Sequence, residues 1–109
     1  MAIAYKVLGQ SNPSADSLTT AYTVPASTEA VVSSIVVANR SATETTFRIA
    51  VRPNGATVSD EHYIAYNTAI AANSLVALTL GVTMDASDVL SVYADDATLS
   101  FNVFGQEIS

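Results

Sequence analysis

Hydrophobic residues along this chain recur mostly at every second position or in short runs, with β-branched residues beside them. Pro, Gly, Asn or Asp ends most of these segments. Both features are typical of β-strands rather than helices. The pattern predicts eight strands, at residues 4–8, 18–24, 30–38, 45–52, 63–66, 75–80, 89–94 and 98–104. We therefore expect an all-β protein with little helix.

Alternation along three of these strands indicates which side chains form the core. The apolar sets are Phe47, Ile49 and Val51, then Leu99, Phe101 and Val103, and finally Val76, Leu78 and Leu80, with Leu75 beside them. Because successive side chains of a strand point to opposite faces, each set lies on one face and is expected in the core. Residues 30–38 carry valine on both faces, which predicts a central strand or one covered on both sides.

Eight short strands separated by turn signals about a dozen residues apart predict a β-sandwich or jelly roll of mainly antiparallel strands. A small closed barrel is the alternative. The length of 109 residues fits a single domain, residues 1–109. Pro53, Asn54 and Gly55 predict a turn with positive φ, and Asp95 and Asp96 predict a hairpin loop between the last two strands.

Charge and cysteine content exclude several classes of protein. The chain has no cysteine, so it forms neither disulfides nor thiolate metal sites. Four basic residues oppose ten acidic ones, giving a net charge of -6, and phosphate binding needs clustered basic residues, so nucleic acid is not an expected partner. No stretch is apolar over about 18 residues and no signal-peptide pattern is present, which predicts a soluble, unprocessed chain with no membrane partner.

The low charge content changes the expected surface. Charged residues make up 13% of the chain and hydrophobic residues 50%, so Ser, Thr, Asn and Ala must cover much of the exterior. Such a surface suits a protein that is packed in an assembly. It also occurs in neutral-surfaced β domains, and composition alone leaves both interpretations open.

The chemistry-bearing residues form no recognisable catalytic pattern. His62 follows Asp60 and Glu61, which suggests a metal site or an acid–base pair, but a metal site usually needs three or four converging ligands. No Gly-x-Ser-x-Gly elbow surrounds any serine. We therefore expect a solvated loop histidine and a protein without catalytic residues, metal or cofactor, which is not an enzyme.

The acidic, glycine and tyrosine residues suggest three further kinds of site, for Ca²⁺, for phosphate and for stacking of bases or sugars, and each is less favoured. Asp85, Asp88, Asp95 and Asp96 are the densest acidic group, but their spacing does not match the Ca²⁺ loop, which favours two solvated turns. The four glycines are isolated, so a phosphate-binding loop is not expected. The scattered aromatics Tyr5, Tyr22, Tyr63, Tyr66 and Tyr93 are typical of strand packing or interfaces when no basic groove accompanies them.

The N-terminal residues 1–10 have two interpretations. A loop-like segment, residues 11–16, follows them and contains Pro13. The first strand is therefore either an arm that detaches and adds to a neighbouring sheet, or an ordinary edge strand of its own sandwich. In the first case Tyr5, Val7 and Leu8 form the partner interface.

The order of turns and strands from Leu18 to Gly105 resembles small virion structural proteins of tailed bacteriophages. The similarity is carried by the Tyr22-Thr23-Val24-Pro25-Ala26 turn before a long strand ending at Asn39, and by Asp88-Val89-Leu90-Ser91-Val92 before the last strand. Pro25 also has a local reason, because it fixes φ and lacks an N–H at a strand boundary.

The resemblance implies a part of the virion. It implies most directly a capsid decoration (cement) protein, a homotrimer that binds the major capsid protein on the outer surface of the shell after assembly in the host cytoplasm. An acidic chain suits that outer surface better than the DNA-facing interior. A tail or fibre component with a receptor-binding or carbohydrate-binding role is the alternative. A small hydrolase or isomerase built around His62 is the least favoured interpretation.

Overall fold

The computed structural model describes residues 2–109, and these form two antiparallel sheets of four strands each. The strands are β1 (Ile3–Ser11), β2 (Thr19–Thr23), β3 (Glu29–Asn39), β4 (Thr45–Arg52), β5 (Tyr63–Ile70), β6 (Leu75–Met84), β7 (Val89–Ala94) and β8 (Leu99–Ile108). Short 3₁₀ turns at Pro53–Gly55 and Asp60–His62 lie between β4 and β5. The predicted all-β sandwich is confirmed.

The strand order is that of a jelly roll. The first sheet has the order β1-β8-β3-β6 and the second has the order β2-β7-β4-β5. The antiparallel pairs β1 with β8, β2 with β7, β3 with β6 and β4 with β5 therefore form one long ribbon that folds over into two sheets. As a result, strands far apart in the sequence are neighbours in space.

The core lies between the two sheets and consists of the side chains that alternate inward. The largest fully buried ones are Phe47, Phe101, Ile35, Ile49, Ile70, Leu90 and Leu99. Phe47 of the second sheet and Phe101 of the first meet edge to face, with their ring centroids 6.1 Å apart. The predicted inward sets of β4 and β8 are largely confirmed, although Val51 is only partly buried. The predicted central strand is β3, which pairs with β8 and β6.

Strand β6 contains the main error of the predicted core. Val76 and Leu78 pack against the core, but Leu75 is 63% exposed and Leu80 is 41% exposed. Strand β6 has one extra residue between Thr79 and Val82, opposite Val32 and Ser34 of β3. Gly81 lies within this bulge and has φ of 130°. Val82 and Met84 continue the inward alternation of Val76 and Leu78, and only Leu80, which lies beside the bulge, is displaced outward.

The predicted hairpin between the last two strands is also wrong. Strand β7 belongs to the second sheet and β8 to the first, so Asp95 and Asp96 lie in a crossover between sheets. A turn signal shows where the chain reverses but not which strand it pairs with next. The predicted turn at Pro53–Gly55 is confirmed, with positive φ at Asn54 and Gly55.

Strand β1 lies at the edge of the first sheet. It pairs with β8 from Ile3 to Ser11, with one register shift between Val7 and Gly9. Met1, which belongs to the predicted arm or edge strand, lies outside the described residues. Near the register shift β1 approaches β2 so closely that a Cβ at Gly9 would overlap the carbonyl oxygen of Ala21. Only glycine fits at this contact without a backbone shift.

We predict that Gly9→Ala destabilises the protein by about 2 kcal/mol, because its methyl group must push β1 and β2 apart. Urea unfolding measures the change. The control Gln10→Ala, at an exposed neighbouring position, should cost less than about 0.5 kcal/mol. Equal stability of the two variants would contradict the close approach of β1 to β2.

Candidate functional site

Exposed apolar side chains are concentrated at the sheet edges. Within residues 2–109, every strongly exposed large hydrophobic side chain lies on β1, β5 or β6, and each of these is an edge strand. These side chains are Ile3, Tyr5, Val7, Ile64, Tyr66, Leu75 and Leu80. Natural proteins usually protect edges with charge, proline or cover, since open edges pair with other chains. These edges instead combine backbone hydrogen-bonding groups with apolar side chains.

The most continuous apolar area is the outward face of β1 and its neighbours, which we call the β1 surface. Ile3, Tyr5 and Val7 point outward and are 49%, 80% and 49% exposed. They stand opposite Ile108, Gln106 and Phe104 of β8, and paired residues share a face of the sheet. Beside Tyr5, a shallow depression of about 230 Å³ is lined in part by Val31 and Ser33 of β3.

The three residues proposed from the sequence as a partner interface are divided between two environments. Tyr5 and Val7 lie together on the β1 surface, whereas Leu8 packs against the core. The register shift that follows Val7 explains why the strand does not present all three side chains to one side.

A polar cluster, which we call the Glu107 clamp, fixes β1 from the inner side. The Glu107 carboxylate of β8 accepts a hydrogen bond of 2.5 Å from the Tyr22 hydroxyl of β2 and forms an ion pair of 2.6 Å with Lys6 Nζ of β1. The Glu107 side chain is only 13% exposed. The clamp therefore joins both sheets through three strands.

The clamp also shifts the acidity of its members. The hydrogen bond from Lys6, and secondarily that from Tyr22, holds the pKa of Glu107 below its ordinary value. Burial, together with the Glu107 carboxylate, raises the pKa of Tyr22 well above its ordinary value. Glu107 is thus stabilised as a carboxylate and Tyr22 as a neutral hydrogen-bond donor.

A second cluster, the Arg48 stack, lies on the outer face of the second sheet. The Arg48 guanidinium carbon is 4.2 Å from the ring centroid of Tyr66 and 4.3 Å from that of Tyr93. Arg48 Nε donates a hydrogen bond of 2.8 Å to Asn67 Oδ1. Tyr63 extends the cluster, since its ring centroid lies 4.9 Å from that of Tyr66 at an interplanar angle of 81°. Three tyrosines that are scattered in the sequence are therefore brought together.

Register explains why sequence reasoning missed this stack. Arg48 pairs with Tyr93 on one side and lies opposite the β5 bulge on the other, where Asn67 adopts φ of 48°. The outward alternation of Arg48 in β4 was visible in the sequence. The identity of the strands beside it was not, because both pairings join residues distant in the chain.

The other suspected sites are dispersed or structural. The expectation of a solvated histidine is wrong, because the His62 side chain is only 10% exposed. Its Nδ1 atom accepts a hydrogen bond of 3.1 Å from the Ser59 N–H and so closes the short 3₁₀ turn. Asp88 accepts hydrogen bonds from the backbone N–H groups of Asn54 and Asp85, which stabilises two loops. Asp95 and Asp96 lie at the opposite end of β7. Across residues 2–109, no group of acidic or histidine side chains is arranged to hold a metal ion.

All four basic side chains contact protein groups. Lys6 is in the clamp and Arg48 is in the stack, while Arg40 donates to the Ala97 carbonyl and Arg52 donates to Ser91 and to two loop carbonyls. Over the described part of the chain, no helix has the length and hydrophobicity needed to cross a bilayer. No family model, curated protein or solved structure matches the chain.

We predict that Glu107→Gln lowers the free energy of unfolding by about 1–2 kcal/mol at pH 7, because it removes the negative charge from the group that accepts both hydrogen bonds. The lowered pKa means that the carboxylate stabilises the fold fully above its ordinary pKa of 4.5 and loses this effect as pH falls through the folded-state value. The difference in unfolding free energy between wild type and variant should therefore decrease as the pH falls from about 5 to about 3.

Urea unfolding at several pH values measures this difference in free energy. Glu44→Gln, at an exposed loop position, is the control and should change stability at pH 7 by less than about 0.5 kcal/mol. If Glu107→Gln lowers the free energy of unfolding as much at pH 3 as at pH 7, the clamp does not act through its charge.

Proposed function

We propose that this chain is a bacteriophage virion structural protein, a capsid decoration protein that binds the outer surface of the shell through its β1 surface. The observation that carries this proposal is the confinement of strongly exposed apolar side chains to edge strands, with the most continuous group on β1. Burying such edges against other subunits removes apolar area from water and pairs open backbone groups.

The β1 surface has the chemistry of a protein contact. Its centre is apolar and includes an aromatic ring, Tyr5, while Ser33 and Gln106 provide polar groups at the adjoining depression. Aromatic side chains are enriched at interface centres and charged ones are depleted there. Lys6, the one cationic residue of β1, pairs with Glu107 on the opposite face of the strand and so leaves this surface uncharged.

Rigidity favours binding by the outer face of a fixed strand rather than by a detached arm. Strand β1 pairs with β8 over its whole length, and the Glu107 clamp and the Gly9 contact join it to β2. A surface that is ordered before binding loses less conformational entropy on association. The acidic exterior, with a net charge of -6, adds repulsion from DNA and supports a position outside the shell.

We predict that the double variant Tyr5→Ser, Val7→Ser folds normally but loses at least tenfold in affinity for capsid shells, because it removes the apolar centre of the β1 surface. Cosedimentation with shells assembled without the chain measures binding. Ile64→Ser is the matched control, since Ile64 is 45% exposed on the other sheet and Val7 is 49% exposed.

The control should bind as tightly as wild type. Failure of the wild type to bind shells would contradict the proposed function. Full binding by the Tyr5, Val7 variant, with circular dichroism unchanged, would show that another surface makes the contact.

The proposed oligomer is a homotrimer, a number that comes from the family resemblance. A cyclic trimer needs two different patches that meet head to tail. Strands β1 and β6 are opposite edges of one sheet, and β6 carries Leu75 and Leu80 apart from the β1 surface. The β6 edge can therefore supply one of these two patches while the outer face of β1 stays open to the shell.

We predict that light scattering at tens of micromolar gives three times the 11.3 kDa mass of the chain. The variant Leu75→Ser, Leu80→Ser should shift this mass towards the monomer, because it removes the exposed apolar groups of β6. The Tyr5, Val7 variant should remain trimeric. A monomeric wild type would contradict self-association.

A further inference from the structure

Two tyrosine rings on the second sheet form a corner beside an acidic side chain. The rings of Tyr63 and Tyr66 are nearly perpendicular, at 81°, with their centroids 4.9 Å apart. Together with Asp60 they line an open cavity of about 460 Å³. This volume falls in the usual range of small-molecule sites. The site lies on the opposite sheet from the β1 surface.

Contacts with Arg48 hold the Tyr66 ring of this corner in position. Arg48 is stacked between Tyr66 and Tyr93, and its Nε atom is anchored on Asn67. The Tyr93 hydroxyl in turn donates a hydrogen bond of 2.8 Å to Asp16. Tyr66 is nevertheless 54% exposed, so this support does not cover its ring. A rigid, exposed aromatic surface is the usual requirement for stacking against a ligand.

Asp60 supplies a polar group that the protein itself does not use. Its carboxylate accepts no side-chain or backbone hydrogen bond from residues 2–109, and the neighbouring His62 and Ser59 bond to each other. The Asp60–His62 turn places this carboxylate beside the two rings. A ligand seated in the corner therefore meets apolar ring faces and a hydrogen-bond acceptor at the same time.

The charges around the corner select a neutral ligand. The Arg48 guanidinium already lies over the Tyr66 ring, so a cationic ligand there would meet a like charge. Asp60 and the net charge of -6 disfavour an anion. A purely apolar ligand would remove the carboxylate from water without a partner, which is costly. A pyranose sugar avoids these costs, because it has an apolar C–H face and several hydroxyl donors.

We propose that Tyr63, Tyr66 and Asp60 form a binding site for a neutral hexopyranose, such as the terminal sugar of a cell-surface glycan. The pyranose stacks its C–H face on one ring and contacts the other with its edge. One or two of its hydroxyl groups donate to the Asp60 carboxylate. This activity is separate from attachment to the shell.

The test is an NMR titration of the ¹⁵N-labelled full chain with maltotetraose, galactobiose, mannobiose and chitobiose, each up to about 10 mM. At least one of these sugars should shift the amide signals of residues 60–67 and of Arg48, with a Kd on the order of 1 mM. Tyr63→Ala should weaken binding at least tenfold, and Asp60→Asn should weaken it several-fold. Tyr63→Phe keeps the ring and should bind within about threefold of wild type.

Tyr5→Ala, at an exposed tyrosine of the other sheet, is the matched control and should bind sugar like wild type. Tyr63→Ala should still cosediment with shells, which separates this site from the proposed attachment. The absence of shifts with all four sugars would overturn the proposal. So would shifts that persist in both Tyr63→Ala and Asp60→Asn, or tighter binding of choline or acetate than of any sugar.

Discussion

The pairing of β1 with β8 forms the edge of the first sheet and therefore the β1 surface. It joins the two ends of the chain, since Ile3 stands opposite Ile108 and Ser11 stands opposite Phe101. Without it β8 would become the edge of the sheet and the β1 surface would not exist. The Glu107 clamp and the close approach at Gly9 extend this contact to β2, so that the edge strand belongs to both layers of the sandwich.

Such a long-range pairing has an energetic consequence. Closing nearly the whole chain into one loop costs conformational entropy that no local contact offsets, and the pairs β2 with β7 and β3 with β6 are also long-range. The compensation comes from burial of core side chains such as Phe47 and Phe101, which meet across the sheets. The clamp adds charge-assisted hydrogen bonds at the edge, where apolar burial is least.

Much of this fold could be predicted from the sequence, because alternation is a local property. Phe47 and Ile49 in β4, and Leu99 and Phe101 in β8, were placed correctly in the core. The bulge at Gly81, the crossover after β7 and the Arg48 stack were not predictable in the same way. Each depends on which distant strand lies alongside, and hydrophobic periodicity contains no information on that choice.

The two sheets present different chemistry to their surroundings. The first offers an uncharged apolar face at β1, which suits a protein partner, and the second offers the aromatic corner beside Asp60, which suits a sugar. The few cations are engaged within the fold, where Lys6 fixes an edge strand and Arg48 supports two rings. We propose that the first sheet attaches the protein to a capsid.

A particle reconstruction that resolves this chain would show where it is attached. We expect the jelly roll on the outer surface of the shell, with Tyr5 and Val7 against capsid subunits and the second sheet facing solvent. A position in the tail or inside the shell, or an orientation with the second sheet against the capsid, would rule out attachment through the β1 surface.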